Sequence, residues 1–123
     1  MKIAFDIHGT LDTHKVLRTL AQFLTLDVNN VVYIISGPEH DVIAKRLEKL
    51  GIDPSRFTII SIVDYLRSKG VKFHMVKSRP FCDEDKWWTS KGDICREQGI
   101  ELIFDDSIQY EENMPETTTF VLC

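Results

Sequence analysis

The run Val31-Val32-Tyr33-Ile34-Ile35 leaves this chain few folds to choose from. Successive side chains of a strand point to opposite faces, so an unbroken apolar run needs cover on both. Such a strand belongs inside a sheet with helices above and below it. The rest of the sequence supplies the parts, because short β-branched runs exchange regularly with helical patterns, which predicts a mainly parallel sheet. Lys2 to Phe5 reads as a buried, central first strand. Val16, Leu17, Leu20, Phe23 and Leu24 recur at helical spacing and predict a helix from about His14 to Leu26. Glu39 to Leu50 puts Val42, Ile43, Leu47 and Leu50 on one face, with Gly51 as the stop.

Phe57 to Ile60 reads as a third strand, followed by a short helix through Tyr65 and Leu66 that ends at Gly70. Val71 to Val76 alternates apolar and polar residues, which predicts a peripheral strand with one face exposed. Ser78 to Thr89 reads as a polar loop carrying Trp87 and Trp88. A helix is expected from near Ser90 to before Gly99, then a strand over Glu101 to Phe104 and an edge strand over Thr117 to Leu122. The expected fold is a three-layer α/β/α sandwich of Rossmannoid type around a mainly parallel sheet of five or six strands. Its 123 residues suit one domain and leave little room for a second.

Composition narrows the function. With 43% hydrophobic and 28% charged residues the chain has the make-up of a soluble globular protein. A formal net charge of -4 argues against a nucleic-acid scaffold held by bulk electrostatics, so polyanion binding would have to be local. Cys82, Cys95 and Cys123 are odd in number, lack metal-ligand spacing and follow no signal peptide, which reads as reduced thiols in a cytoplasmic protein. Cys82 lies in a polar stretch where a nucleophile could sit, but no histidine is near it in sequence. No apolar run approaches the roughly 20 residues of a membrane helix.

The chemistry-bearing residues fall where strands end. Asp6 closes the first strand just before Gly9, and a carboxylate there lies at the crevice where an α/β sheet keeps its ligands. Ser36-Gly37 follows the second strand, Lys91 lies in the predicted fourth helix, and Asp105-Asp106 follows Glu-Leu-Ile-Phe. Two adjacent acids after a buried strand are costly unless a cation or hydrogen bonds offset them. The plainer alternatives are a helix cap at Asp6, an Asx turn at Asp105 with Ser107, and an ordinary turn at Ser36-Gly37.

In this order the segment Phe5-Asp6-Ile7-His8-Gly9-Thr10-Leu11, Ser36-Gly37, Lys91 and Asp105-Asp106 resemble the four motifs of the haloacid dehalogenase-like (HAD) phosphohydrolases. The resemblance follows the element order over nearly the whole chain, with its specific motifs in about ten residues. It implies a phosphomonoesterase in which Asp6 is the nucleophile, forming an aspartyl-phosphate. It further implies Mg²⁺ held by Asp6, the His8 backbone carbonyl and Asp105 or Asp106, with Asp105 favoured for the direct contact. Ser36, Gly37, Gly9 and Thr10 would bind substrate, and Lys91 would supply a fixed positive charge. Lys77, which closes a predicted strand, competes with Lys91 for that role.

One position departs from the family pattern, which has a second aspartate where this chain has His8. Imidazole, with an unperturbed pKa of about 6.5, can replace that acid/base group near neutrality. The alternative is an impaired or inert member that binds a phosphorylated ligand or protein partner. His14 and Asp12 lie close enough in sequence to be substrate contacts, whereas His40 and His74 read as surface histidines. Both intervals in which the family inserts a cap domain are too short for one here, and such capless members tend to accept macromolecular phosphates. The short frame and His8 resemble small phage and bacterial members. The expected partner is a phosphorylated small molecule or a nucleic-acid end, with Trp87 and Trp88 either stacking on a base or anchoring a loop, and with Lys77 and Arg79 beside them as sources of charge.

Overall fold

The computed structural model describes residues 1–123. Strands β1 (Lys2–Phe5), β2 (Val31–Ser36), β3 (Thr58–Ser61), β6 (Leu102–Asp105) and β7 (Thr119–Leu122) form one parallel sheet in the order β3-β2-β1-β6-β7. The run from Val32 to Ser36 is buried throughout, as its lack of polar alternation requires. Helices α1 (Lys15–Leu24), α2 (His40–Lys49), α3 (Ile62–Ser68) and α4 (Glu84–Gln98) cover the sheet. Strands β4 (His74–Val76) and β5 (Arg79–Phe81) form a separate antiparallel hairpin between α3 and α4.

Alternate side chains of each strand go to two cores. Ile3, Phe5, Val32 and Ile34 pack with Ile43 and Leu47 of α2 and with Leu17, Leu20, Ala21 and Leu24 of α1. Ala4, Tyr33, Ile35 and Ile103 pack on the other side with Ile62 and Leu66 of α3 and Ile94 and Cys95 of α4. The result is a Rossmann-like arrangement of helix, sheet and helix. No helix is long and apolar enough to cross a membrane.

Four expectations need correction. The apolar stripe of α1 is Leu17, Leu20, Ala21 and Leu24, spaced three, one and three apart, and Val16 and Phe23 on its flank face solvent. The expected strand over Val71 to Val76 is shorter and lies outside the main sheet, with Val71 and Phe73 instead packing on the second core. The expected loop over Ser78 to Thr89 contains β5 and the first turns of α4. That helix begins at Glu84, because the Asp83 carboxylate caps it by accepting from the Asp85 and Lys86 N–H groups at 2.9 and 3.4 Å.

One glycine inside α4 is explained by what crosses it. A Cβ on Gly92 would sit 2.2 Å from the backbone oxygen of Asn113, the last residue of the 3₁₀ segment Ile108–Asn113. Asn113 is tied to α4 by its amide, which donates to the Thr89 carbonyl at 2.7 Å and to Asp93 Oδ1 at 3.2 Å. Alanine in a helix interior normally improves on glycine by about 1 kcal/mol. Here Gly92→Ala is expected to destabilise by about 1–3 kcal/mol through overpacking, read as a lower urea midpoint at unchanged slope.

Burial also sets an alkaline limit. It pushes the Cys95 thiol up from 9.0 to about 12, and it pushes the Tyr110 hydroxyl up from 10.0 to about 12. The native state keeps these protons at pH values where the unfolded chain has lost them. Stability from these groups is therefore complete below pH 9 and falls as pH rises from 9 to 12. Urea titrations stepped across that window should show a progressive fall in midpoint.

Candidate active site

The carboxyl ends of β1, β2 and β6 lie side by side, because β1 pairs with β2 on one edge and β6 on the other. Each strand ends on a polar residue that is almost wholly buried: Asp6 just after β1, Ser36 on β2 and Asp105 on β6. Asp6 is locked into the sheet by its own N–H, which donates to the Phe104 carbonyl at 3.0 Å, while its Oδ1 accepts from the Ile7 N–H at 2.8 Å. The turn-filling alternative for Asp6 is thus present as a local bond at the start of Ile7–Leu11, whereas α1 is not capped by it, and Oδ2 is left for other partners.

Lys91 is the principal partner. It is 1% exposed, its ammonium bonds Asp105 Oδ2 and lies 3.3 Å from Asp6 Oδ2, and the Tyr110 ring centroid is 4.5 Å from it. Burial opposes the charged ammonium, but Asp6 and Asp105 together outweigh it and hold Lys91 protonated well beyond the ordinary lysine range. Lys77 is far from this role. It occupies the tip of the β4–β5 hairpin with φ of 50° and is exposed.

Asp105 Oδ1 accepts from the Ser107 N–H at 2.9 Å, so the Asx turn expected as the plain alternative exists alongside the ion pair. Asp106 is the most exposed acid of the three, with only the Ser107 hydroxyl donating to it, at 3.3 Å. Asp6, Asp105 and Asp106 each present a carboxylate oxygen, and these atoms all lie within 4.8 Å of one another. One ammonium offsets at most one of three such charges. Hard oxygen donors at this spacing fit a metal ion.

The wide turn Ile7–Leu11 brings His8 and Gly9 past this cluster. Gly9 has φ of 75°, and a Cβ there would sit 2.0 Å from Asp106 Oδ2. Only glycine meets both conditions. The Asp12 carboxylate fixes the turn, accepting from the Gly9 N–H at 2.8 Å and the Thr13 hydroxyl at 2.9 Å, and His8 Nδ1 lies 3.5 Å from its other oxygen. Thr10 is wholly buried and its hydroxyl has no hydrogen-bond partner.

A crevice of about 470 Å³ opens over Asp6, His8, Ser36, Gly37 and Lys91. Gly9, Thr10, Asp12, His14, Asp105 and Asp106 do not line it. Arg46 of α2, Arg79, Pro80 and Phe81 of β5 and Trp87 of α4 do. Arg46, Pro80 and Phe81 are invisible as site residues in the sequence, whereas Arg79 and Trp87 are among the residues expected to supply charge and stacking; the Asp83-Glu84-Asp85 helix start is the one signal that puts Trp87 on α4. Trp87 leans over Gly37, whose Cβ would meet its ring at 3.1 Å, whereas Trp88 packs edge-on against Tyr110 with centroids 4.9 Å apart. No family model, curated protein or solved structure matches the chain.

Removing Lys91 would leave Asp6 and Asp105 buried without a counter-charge. Lys91→Met is therefore expected to cost about 3–5 kcal/mol at neutral pH, and adding Asp105→Asn in the same chain should recover part of it. Urea unfolding of the single and double variants measures both.

Proposed function

We propose that this chain is a Mg²⁺-dependent phosphomonoesterase of haloacid dehalogenase-like type, working through a phosphorylated Asp6. The observation that supports it most is the cluster of Asp6, Asp105 and Asp106, with the buried Lys91 paired to the first two and with Asp6, Lys91 and Ser36 lining one open crevice. The Asp6 carboxylate attacks phosphorus, and the bond from phosphorus to the leaving oxygen breaks. His8 gives a proton to that oxygen; its side chain is 86% exposed and lines the crevice, so it can reach solvent and substrate. His8 then takes a proton from water, whose oxygen displaces Asp6 and frees phosphate. Lys91 offsets negative charge at Asp6, and the Ser36 hydroxyl and Gly37 N–H donate to phosphoryl oxygens.

In this reading Asp6, the His8 backbone carbonyl and the Asp105-Asp106 pair would hold Mg²⁺, which supplies charge neutralisation between the carboxylate and the incoming phosphate. Asp105 already uses one oxygen on Ser107 and the other on Lys91, while Asp106 keeps the freer carboxylate. That distribution favours Asp106 over Asp105 for the direct contact.

Asp6→Asn keeps the side-chain volume and removes the nucleophile. Turnover of a generic aryl phosphate with Mg²⁺ should fall by about two or more orders of magnitude, while the melting temperature stays near that of the wild type. Unchanged turnover sinks the mechanism.

His8→Asp should retain or raise turnover and move the pH profile toward acid, because a carboxyl titrates about two pH units below imidazole. A wild type without turnover that gains it in His8→Asp would instead identify an inert member that binds a phosphorylated ligand.

A further inference from the structure

We propose that the crevice takes a substrate with two anionic groups: the phosphate ester attacked by Asp6 and a second phosphoryl group held by Arg46 and Arg79. The first group rests on the phosphatase reading; the second rests on the arginines. Arg46 comes from α2 and Arg79 from β5, and both line the crevice. Neither has a carboxylate partner, whereas Arg67 and Arg96 elsewhere on the surface pair with Glu39 at 3.4 Å and Asp93 at 3.0 Å. Acidic residues outnumber basic ones by 19 to 15 in the chain, yet Arg46, Arg79 and Lys91 face a single carboxylate, Asp6, among the residues that line the crevice, so the charge balance is inverted locally.

Lys91 cannot serve a second anion, since Asp6 and Asp105 already engage it. The arginines can, because a free guanidinium matches phosphate with two parallel hydrogen bonds. Size points the same way. A space of about 470 Å³ is far larger than one phosphate and falls among sites that hold a whole small molecule. Phe81, 46% exposed, and Trp87 line the same crevice and offer aromatic faces to the organic part. The ligand chemistry is two phosphoryl groups joined by an organic unit with a flat apolar face. A nucleoside bisphosphate and the terminal nucleotide of a 5′-phosphorylated strand both satisfy it.

The test compares kcat/KM for adenosine 5′-monophosphate, adenosine 3′,5′-bisphosphate and a 5′-phosphorylated adenine dinucleotide. Wild type should prefer at least one of the doubly charged substrates by about tenfold, the scale of a charge-assisted hydrogen bond. Arg46→Gln and Arg79→Gln should each cut that ratio about fivefold or more, while Arg56→Gln, exposed on the turn before β3, keeps it. A stronger preference for the dinucleotide assigns the site to a strand end, and one for the bisphosphate to a free nucleotide; either supports the subsite. Equal use of all three, or a ratio untouched by both arginine changes, overturns it.

Calorimetric binding of adenosine 3′,5′-bisphosphate to the Asp6→Asn chain separates this proposal from the phosphatase reading. Binding weakened about tenfold by Arg46→Gln or Arg79→Gln supports the subsite even where wild type turns nothing over. No binding, or binding indifferent to both changes, overturns it while leaving aryl phosphate turnover to judge the mechanism.

Discussion

The Lys91 ammonium is the constraint on which the site and one face of the fold both depend. It reaches from α4 to carboxylates after β1 and on β6, so it ties a helix to two neighbouring strands at the end where the crevice opens. A lysine buried to 1% exposure is tolerable only with such partners. Its position in turn fixes how α4 lies on the sheet. The adjacent Gly92 lets the Asn113 backbone come within reach, and the segment ending at Asn113 carries Tyr110 under the ammonium. Packing and electrostatics are thus one arrangement on this face.

A second constraint acts from the opposite side of the acids. Gly9 must adopt a positive φ and must lack a Cβ for the Asp106 carboxylate to stand where it does. The turn that presents Gly9 is held at its start by Asp6 and at its end by Asp12, and Arg18 of α1 donates to the Leu11 carbonyl at 2.7 Å. The turn is therefore anchored in both the sheet and α1. Carboxylates crowded within 4.8 Å of one another repel, and only a framework fixed at several points holds them there.

The layers, the parallel sheet and the strand ends were legible because they rest on periodicity and on buried apolar runs. Asp6, Ser36 and Asp105 follow from that reading, since a polar residue at the end of a buried strand has few other places to be. The hairpin was not legible, for a physical reason. Its two-residue tip, Lys77-Ser78, adopts φ of 50° and 66° without the asparagine or glycine that usually marks such a turn. Pro80 in β5 further disguised it, although a two-stranded ribbon leaves proline an unpaired side on which to sit. Without a turn signal for the hairpin, the residues up to Thr89 read as loop, and the start expected for α4 falls six residues after the observed one. Arg46 was missed for a different reason: an exposed arginine on an amphipathic helix looks like any solvated charge until the crevice beside it is known.

The hairpin matters because of how little chain it uses. His74–Phe81 is too short to form an enclosing module, yet it places Arg79, Pro80 and Phe81 on the crevice wall. Such a wall is open to one side, so it cannot exclude water from a small ligand on all faces. If the proposed phosphatase reading holds, recognition has to come from a few directional contacts at a distance from the reacting phosphorus, which favours paired charges and aromatic faces over shape. On the proposed reading, the acid cluster would supply the chemistry that any phosphate meets. The hairpin and α2 would then supply the contacts by which one phosphate is told from another, so that selectivity and reactivity would reside on different elements.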